Sequence, residues 1–286
     1  GGNPLYALEI ARAAARDPHF PAIVEFAVPP GLGDLVRTRL DTLSPTASSA
    51  VLLTATASQP TSVLVERAGG VVDGLREAIE HGVVELDGPR LRFTHPLLAS
   101  VAYGSAFPWQ RRDAHLALAE VVDDPEERAR HLALGTEGRS EAIAAELEVA
   151  AGLAAARGSP ESAAQLAEHA ARLTPGHLTA EHQRRLTEAA DHHITSGDPA
   201  HGRSIIEALI GSVGPGPTRA DLLRRLAAVI DDSLDRSIEL CEQALVEAFG
   251  KPDTEARIHI ALGVYTWLAG DLECSAGHCR AAADHA

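Results

Sequence analysis

Methionine is absent from this 286-residue chain, lysine occurs once, at Lys251, and aromatic residues make up only 3% of it. With so few rings, alanine, leucine and valine must build a core from the 45% hydrophobic share. Small side chains fill space only when backbones come close, which favours helix against helix and an all-α class. Positive charge is also short: the net charge is −15. A surface of that sign repels phosphate, which argues against a nucleic-acid groove on the bulk surface. No apolar run reaches the roughly 18 residues that a bilayer span requires, so no membrane partner is expected. The three cysteines, Cys241, Cys274 and Cys279, lack Cys-x-x-Cys spacing and any zinc-like arrangement with histidine. An odd count with no leader segment reads as thiols of the reducing cytoplasm. The opening Gly1-Gly2 and the close at Asp284-His285-Ala286, in mid-helix, read as a piece of a larger protein.

What the chain does contain is organised around residues 86–103. Val83, Val84 and Leu86, then Asp87-Gly88-Pro89, then Leu91 and Phe93 alternating with arginines, read as the one convincing β-hairpin. Thr94 is placed to cap the helix that follows, with Pro96 in its first turn. Upstream, Leu5, Leu8, Ala11 and Ala15 share one face of an amphipathic helix, and residues 20–30 form a proline-bounded connector. Helices are then expected over 32–43, after a Ser44-Pro45 cap, near 62–68 and over 72–80. Helices followed by a hairpin define a winged-helix domain, set at residues 31–107. Its last helix carries Asp73, Glu77 and Glu80 against Arg76 alone. That face repels phosphates and offers no pair of side chains for base edges, so it reads as a packing module.

From Trp109 onward the pattern is helical hairpins, giving a helical repeat array over 108–286. Turn signals fall at residues 158, 197, 232 and 270, an interval of 35 to 39 residues. After the first three turns come apolar stripes: Ala163, Leu166, Ala167, Ala170 and Ala171; Ile205, Ile206, Leu209 and Ile210; Ile238, Cys241, Leu245, Ala248 and Phe249. A period near 34 residues argues for a tetratricopeptide (TPR)-like α-α superhelix, in which only stacking buries the apolar faces.

Gly2-Asn3-Pro4-Leu5-Tyr6-Ala7-Leu8-Glu9-Ile10, the segment Phe93-Thr94-His95-Pro96-Leu97-Leu98 with Val101-Ala102-Tyr103, and the array resemble a known family. It is the large ATP-binding LuxR-type transcription regulators of bacteria, in the signal-transducing STAND branch of P-loop NTPases. The resemblance implies that residues 1–30 end a helical lid. It also implies that this segment is regulatory and not an enzyme, and holds no cofactor itself. ATP or ADP would sit in a nucleotide-binding domain elsewhere in the parent protein, and DNA would meet a separate helix-turn-helix. The array would sense an inducer, either a small molecule or a protein. By the same resemblance Pro4 packs against adenine and His95 touches the ADP β-phosphate. An imidazole N–H can bond a phosphate oxygen, but His95 can equally serve as a cap or bond a backbone carbonyl. Where relatives often follow this histidine with aspartate, this chain has Pro96.

Catalytic patterns are few. A phosphate loop needs a lysine behind paired glycines, and Phe249-Gly250-Lys251-Pro252 puts Leu245 and Pro252 where glycine and a hydroxyl belong. Asp191-His192-His193 looks like a metal triplet, but helical neighbours point about 100° apart, so it reads as a solvated face with no metal. Asp123-Asp124-Pro125-Glu126-Glu127 suits a helix start. Tyr265 and Trp267 suit packing between repeats or a ligand groove. A different class of function is a plain interaction scaffold without nucleotide coupling, and exposed alanine-rich helices leave self-association open.

Overall fold

The structure, a computed structural model, describes residues 32–230 and 233–285. Pro4 lies outside the described residues. The chain divides into two compact units, one ending at Glu137 and one beginning at Gly138. Each is described by itself.

The first unit contains α1 (Leu32–Asp41), α2 (Pro45–Thr56), α3 (Ser62–Arg67), α4 (Val72–Glu80), β1 (Val84–Asp87), β2 (Arg90–Phe93), α5 (Pro96–Ser105), α6 (Pro108–Ala119) and α7 (Pro125–Gly135). Helix α2 is its centre. Ala47, Ala50, Val51, Leu52, Leu53 and Thr54 are all buried, so the helix is enclosed on most of its circumference by α4, α5 and α6. Ser44 caps it as expected, accepting from the Ala47 amide at 3.2 Å with Pro45 at the first helical position. The same serine donates its amide to Glu77 Oε1 at 2.7 Å and its hydroxyl to Oε2 at 2.5 Å. These bonds tie α4 to the start of α2 and hold the Glu77 carboxyl below the usual range. Gly74 makes the crossing possible, because a Cβ there would lie 2.6 Å from the Thr46 carbonyl oxygen.

The wing is antiparallel, with Val84 opposite Phe93 and Asp87 opposite Arg90. Gly88, at φ +61, leads its two-residue turn, the position where a hairpin of this kind needs glycine. A third piece joins it: Thr61 bridges Arg90, and the Leu91 amide donates to the Pro60 carbonyl at 2.9 Å. That pairing was invisible in a stretch whose strand is one bridge long. The helix after the wing starts differently from the expected cap. Thr94 instead donates its hydroxyl to the Gly82 carbonyl at 2.5 Å and closes the hairpin. Pro96 is the cause: a proline pushes the residue before it into extended backbone, so His95, at φ −144 and ψ 135, becomes the cap.

The second unit contains α8 (Glu141–Ala156), α9 (Pro160–Leu173), α10 (Thr179–Thr195), α11 (Pro199–Ser212), α12 (Pro217–Ala228), α13 (Leu234–Glu247), α14 (Pro252–Leu268) and α15 (Leu272–Asp284). Each helix packs on the next, and α12 also reaches α14. These are stacked helix pairs, a TPR-like array. The turns inside three of the pairs carry Gly158, Gly197 and Gly270 at φ +79, +91 and +85, where a side chain would be strained. The first expected stripe is buried throughout, and Ile206, Leu209, Cys241 and Ala248 follow suit. Phe249 does not: it is 89% exposed, because α13 ends at Glu247 and helical periodicity no longer governs it.

Gly74→Ala is expected to lower the stability of the first unit by about 1–3 kcal/mol, since two backbones must separate to admit a methyl group. Gly104→Ala, at an exposed position of α5 where a Cβ meets nothing within 4 Å, is the control and should change little or stabilise. Urea unfolding of both variants measures the difference.

Candidate functional site

In the first unit the residue carried over from the family resemblance is His95. It is exposed, and its Nδ1 accepts from the Leu97 amide at 3.2 Å. A neutral ring that accepts at Nδ1 carries its hydrogen on Nε2, which leaves a donor beyond the cap. Helix α4 keeps its acidic face, with Arg76 paired to Asp73 at 2.9 Å.

A buried polar chain lies behind α5. Tyr103 Oη meets His115 Nε2 at 2.9 Å, and His115 Nδ1 meets His131 Nδ1 at 2.8 Å. His131 Nε2 lies 3.7 Å from Glu127 Oε1. Two Nδ1 atoms can share one hydrogen only if one ring donates and the other accepts, so the accepting ring must be neutral. Burial, then the His131 and Arg111 charges, push His115 down to about 4. Burial likewise lowers His131, against the opposing pull of Glu127. Glu127 comes from the acid run expected to start a helix; Asp124 caps that helix by accepting from the Glu127 amide at 2.8 Å. Nothing in the spacing of residues 103, 115 and 131 advertised their meeting.

In the second unit, the first helices of successive pairs are joined by arginine–carboxylate links. Arg185 of α10, only 2% exposed, reaches Glu141 at 2.6 Å and Glu148 at 2.9 Å on α8, and donates to Thr174 Oγ1 at 2.7 Å. Its guanidinium holds the Glu141 carboxyl below the usual range. Arg225 of α12 pairs with Asp221 at 2.7 Å and crosses to Asp191 of α10. Between α10 and α12 lies a cleft of about 370 Å³, lined by Gln183, Arg184, Thr187, Asp191, Asp221 and Arg225. Its charged groups are already paired, so a ligand there must be polar enough to replace those partners. A second cleft, of about 360 Å³, is apolar and lined by Ile260, Val264 and Trp267 of α14 with Cys279 of α15. Trp267 is thus an exposed groove residue, while Tyr265 packs against the core.

The run at residues 191–193 splits. Asp191 turns to Arg225, while His193 meets Glu168 of α9 and His201 of α11. Two residues along a helix are about 200° apart, which puts the two side chains on opposite faces. His193 is therefore not on a solvated face: its side chain is 13% exposed.

These features define a winged-helix unit and a TPR-like array of helix pairs. No protein-family model matches the chain, and no curated protein matches it in sequence. Among solved structures it is similar to a signal transduction ATPase with numerous domains (STAND) protein with a tetratricopeptide repeat sensor from Pyrococcus horikoshii. The identity is 9% and the TM-score 0.40, over 91% of this chain and 47% of that one. The chain spans about half the length of that protein.

The neutral histidine chain sets a pH dependence. His115 is depressed in the fold, so its contribution is complete above the unfolded value of 6.5 and is lost as pH falls towards about 4. Between pH 7 and pH 5 the first unit should lose about 2 kcal/mol through this residue. His131 acts in the same direction. Urea unfolding at the two pH values should show the loss in the native chain and a smaller one in His115→Gln.

Proposed function

We propose that this chain is a regulatory, non-catalytic segment of a STAND-type, ATP-dependent transcription activator of the LuxR class. The array senses a small molecule or a protein, and the winged helix relays that event to a nucleotide switch. ATP or ADP, and the DNA target, belong to other domains of the parent protein. What supports this reading is the order on one chain of a winged helix with the acidic α4 and a stack of helix pairs with a polar cleft. An acidic helix there suits a module that packs on protein, and a stack of pairs suits a receiving surface. His95, capping α5 while its Nε2 hydrogen remains outward, suits a phosphate contact in the closed state. For such a relay to work, a ligand must bind one arrangement of the parent protein better than the other.

A second reading, an interaction scaffold without nucleotide coupling, draws on the apolar cleft beside Trp267. Peptides or partner proteins would then be the ligands that raise the melting temperature, with small polar molecules having no effect.

The test supplies a nucleotide-binding domain in trans and measures its ADP affinity by calorimetry. The native chain should tighten ADP binding, and His95→Ala should abolish that gain, a loss of about tenfold for one charge-assisted hydrogen bond. Equal affinities with and without the chain would sink the coupling and leave the scaffold reading.

A further inference from the structure

Among the described residues, one place brings three metal-ligating side chains together: Glu168, His193 and His201, whose ligand atoms all lie within 4.8 Å of one another. Glu168 projects from α9, His193 from the last turn of α10 and His201 from the first turn of α11. Both imidazoles address one oxygen: His193 Nε2 lies 3.1 Å and His201 Nε2 2.6 Å from Glu168 Oε1. The two rings meet edge to face with centroids 4.3 Å apart. The turn between them, with Gly197 at φ +91 and Pro199 opening α11, fixes how the two histidines converge.

We propose that Glu168, His193 and His201 form a binding site for a zinc-class divalent cation, which clamps α9, α10 and α11 together. Zinc holds imidazole nitrogen and carboxylate oxygen at about 2.0–2.2 Å, which places tetrahedral ligand atoms roughly 3.3 Å apart. The His193 separation, 3.1 Å, is already near that figure, and the His201 one, 2.6 Å, must open by about 0.7 Å, which side-chain rotations supply. Imidazole with carboxylate is a donor set that suits zinc and its first-row neighbours, whereas calcium and magnesium prefer oxygen alone. The charge state is also right. Burial would raise the Glu168 carboxyl, but the two imidazoles outweigh it and hold the group below the usual range, so it stays anionic. The histidines bind as neutral rings: each Nε2 hydrogen that faces the carboxylate passes through solvent to Nδ1, and the freed Nε2 lone pair goes to the metal. Side-chain exposures of 37%, 13% and 38% leave the cluster open on one side. An ion can enter there and keep a water as a further ligand. The inference needs no nucleotide switch and stands apart from the regulatory reading.

The test is a zinc titration of the chelator-treated chain by calorimetry, with a chromophoric chelator as competitor. One equivalent should bind, raise the melting temperature and lose at least tenfold in affinity in Glu168→Gln, His193→Ala and His201→Ala alike. The double variant His259→Ala/His278→Ala removes another facing imidazole pair of the array, whose Nδ1 atoms are 3.1 Å apart. It should bind as the native chain does. A readout on the unaltered chain guards against variants that fail to fold: zinc should protect His193 and His201 from diethyl pyrocarbonate, as mapped by mass spectrometry. No uptake by the native chain, unchanged affinity in the three single variants, or protection confined to His259 and His278 would each overturn the site.

Discussion

Close approach of helix to helix, permitted by alanine, is the constraint on which the second unit depends. Ala163, Ala164, Ala167, Ala170 and Ala171 on α9, with Ala189 and Ala190 on α10, are buried almost completely. Each methyl buries little area, so the stabilisation comes from many contacts at short range rather than from a few large side chains. Such a surface is smooth, and smooth surfaces fix register poorly. The arginine links supply what the alanines do not. Arg185 is enclosed while its carboxylate partners stay near solvent, so they remain partly hydrated while the guanidinium gives up water. Such a pair adds little net stability but penalises any slippage of α10 against α8 that would leave the charge alone.

The same division of labour operates in the first unit with different chemistry. Its centre, α2, is enclosed over residues 50–54, and two glycine-sized or hydroxyl-sized details decide how its neighbours lie. Gly74 lets α4 cross close to Thr46, and Glu77 locks that crossing through both hydrogen-bonding groups of Ser44. An acid in that helix thereby has a structural task, which gives a physical reason for the negative face beyond indifference to phosphate. The face is built into the packing of the unit.

How much of this could be read beforehand follows from the range of the interactions. The helices 72–80 and after Ser44-Pro45, and the alanine stripe of α9, obey local periodicity and capping and were legible. The cap of α5 falls one residue beyond the expected Thr94, because the steric effect of Pro96 on His95 outranks the capping preference of a hydroxyl. Phe249 leaves the expected stripe because it lies two residues past the end of α13, where periodicity no longer holds. The bridge at Thr61 left no trace, since a single pairing carries no alternation. The Glu168, His193 and His201 cluster joins positions 25 and 33 residues apart. Its one local sign is a pair of histidines straddling Gly197-Asp198-Pro199, which the adjoining run Asp191-His192-His193 masks.

Helix α10 carries both relationships on opposite faces. Asp191 looks to Arg225 of α12, and His193 looks to Glu168 and His201 on α9 and α11. An ion held by the second face restrains the last turn of α10, which is the same turn that presents Asp191 to the cleft. On the regulatory reading, a ligand entering that cleft competes with Asp191 for Arg225. The outcome then depends on how freely the turn can yield. A rigid turn keeps the native ion pair aligned and makes displacement costly, while a looser one lets the carboxylate withdraw into water. Coupling between the two faces therefore requires no long pathway. It needs only one helical turn whose position both ligands sense, and whose two positions they favour unequally.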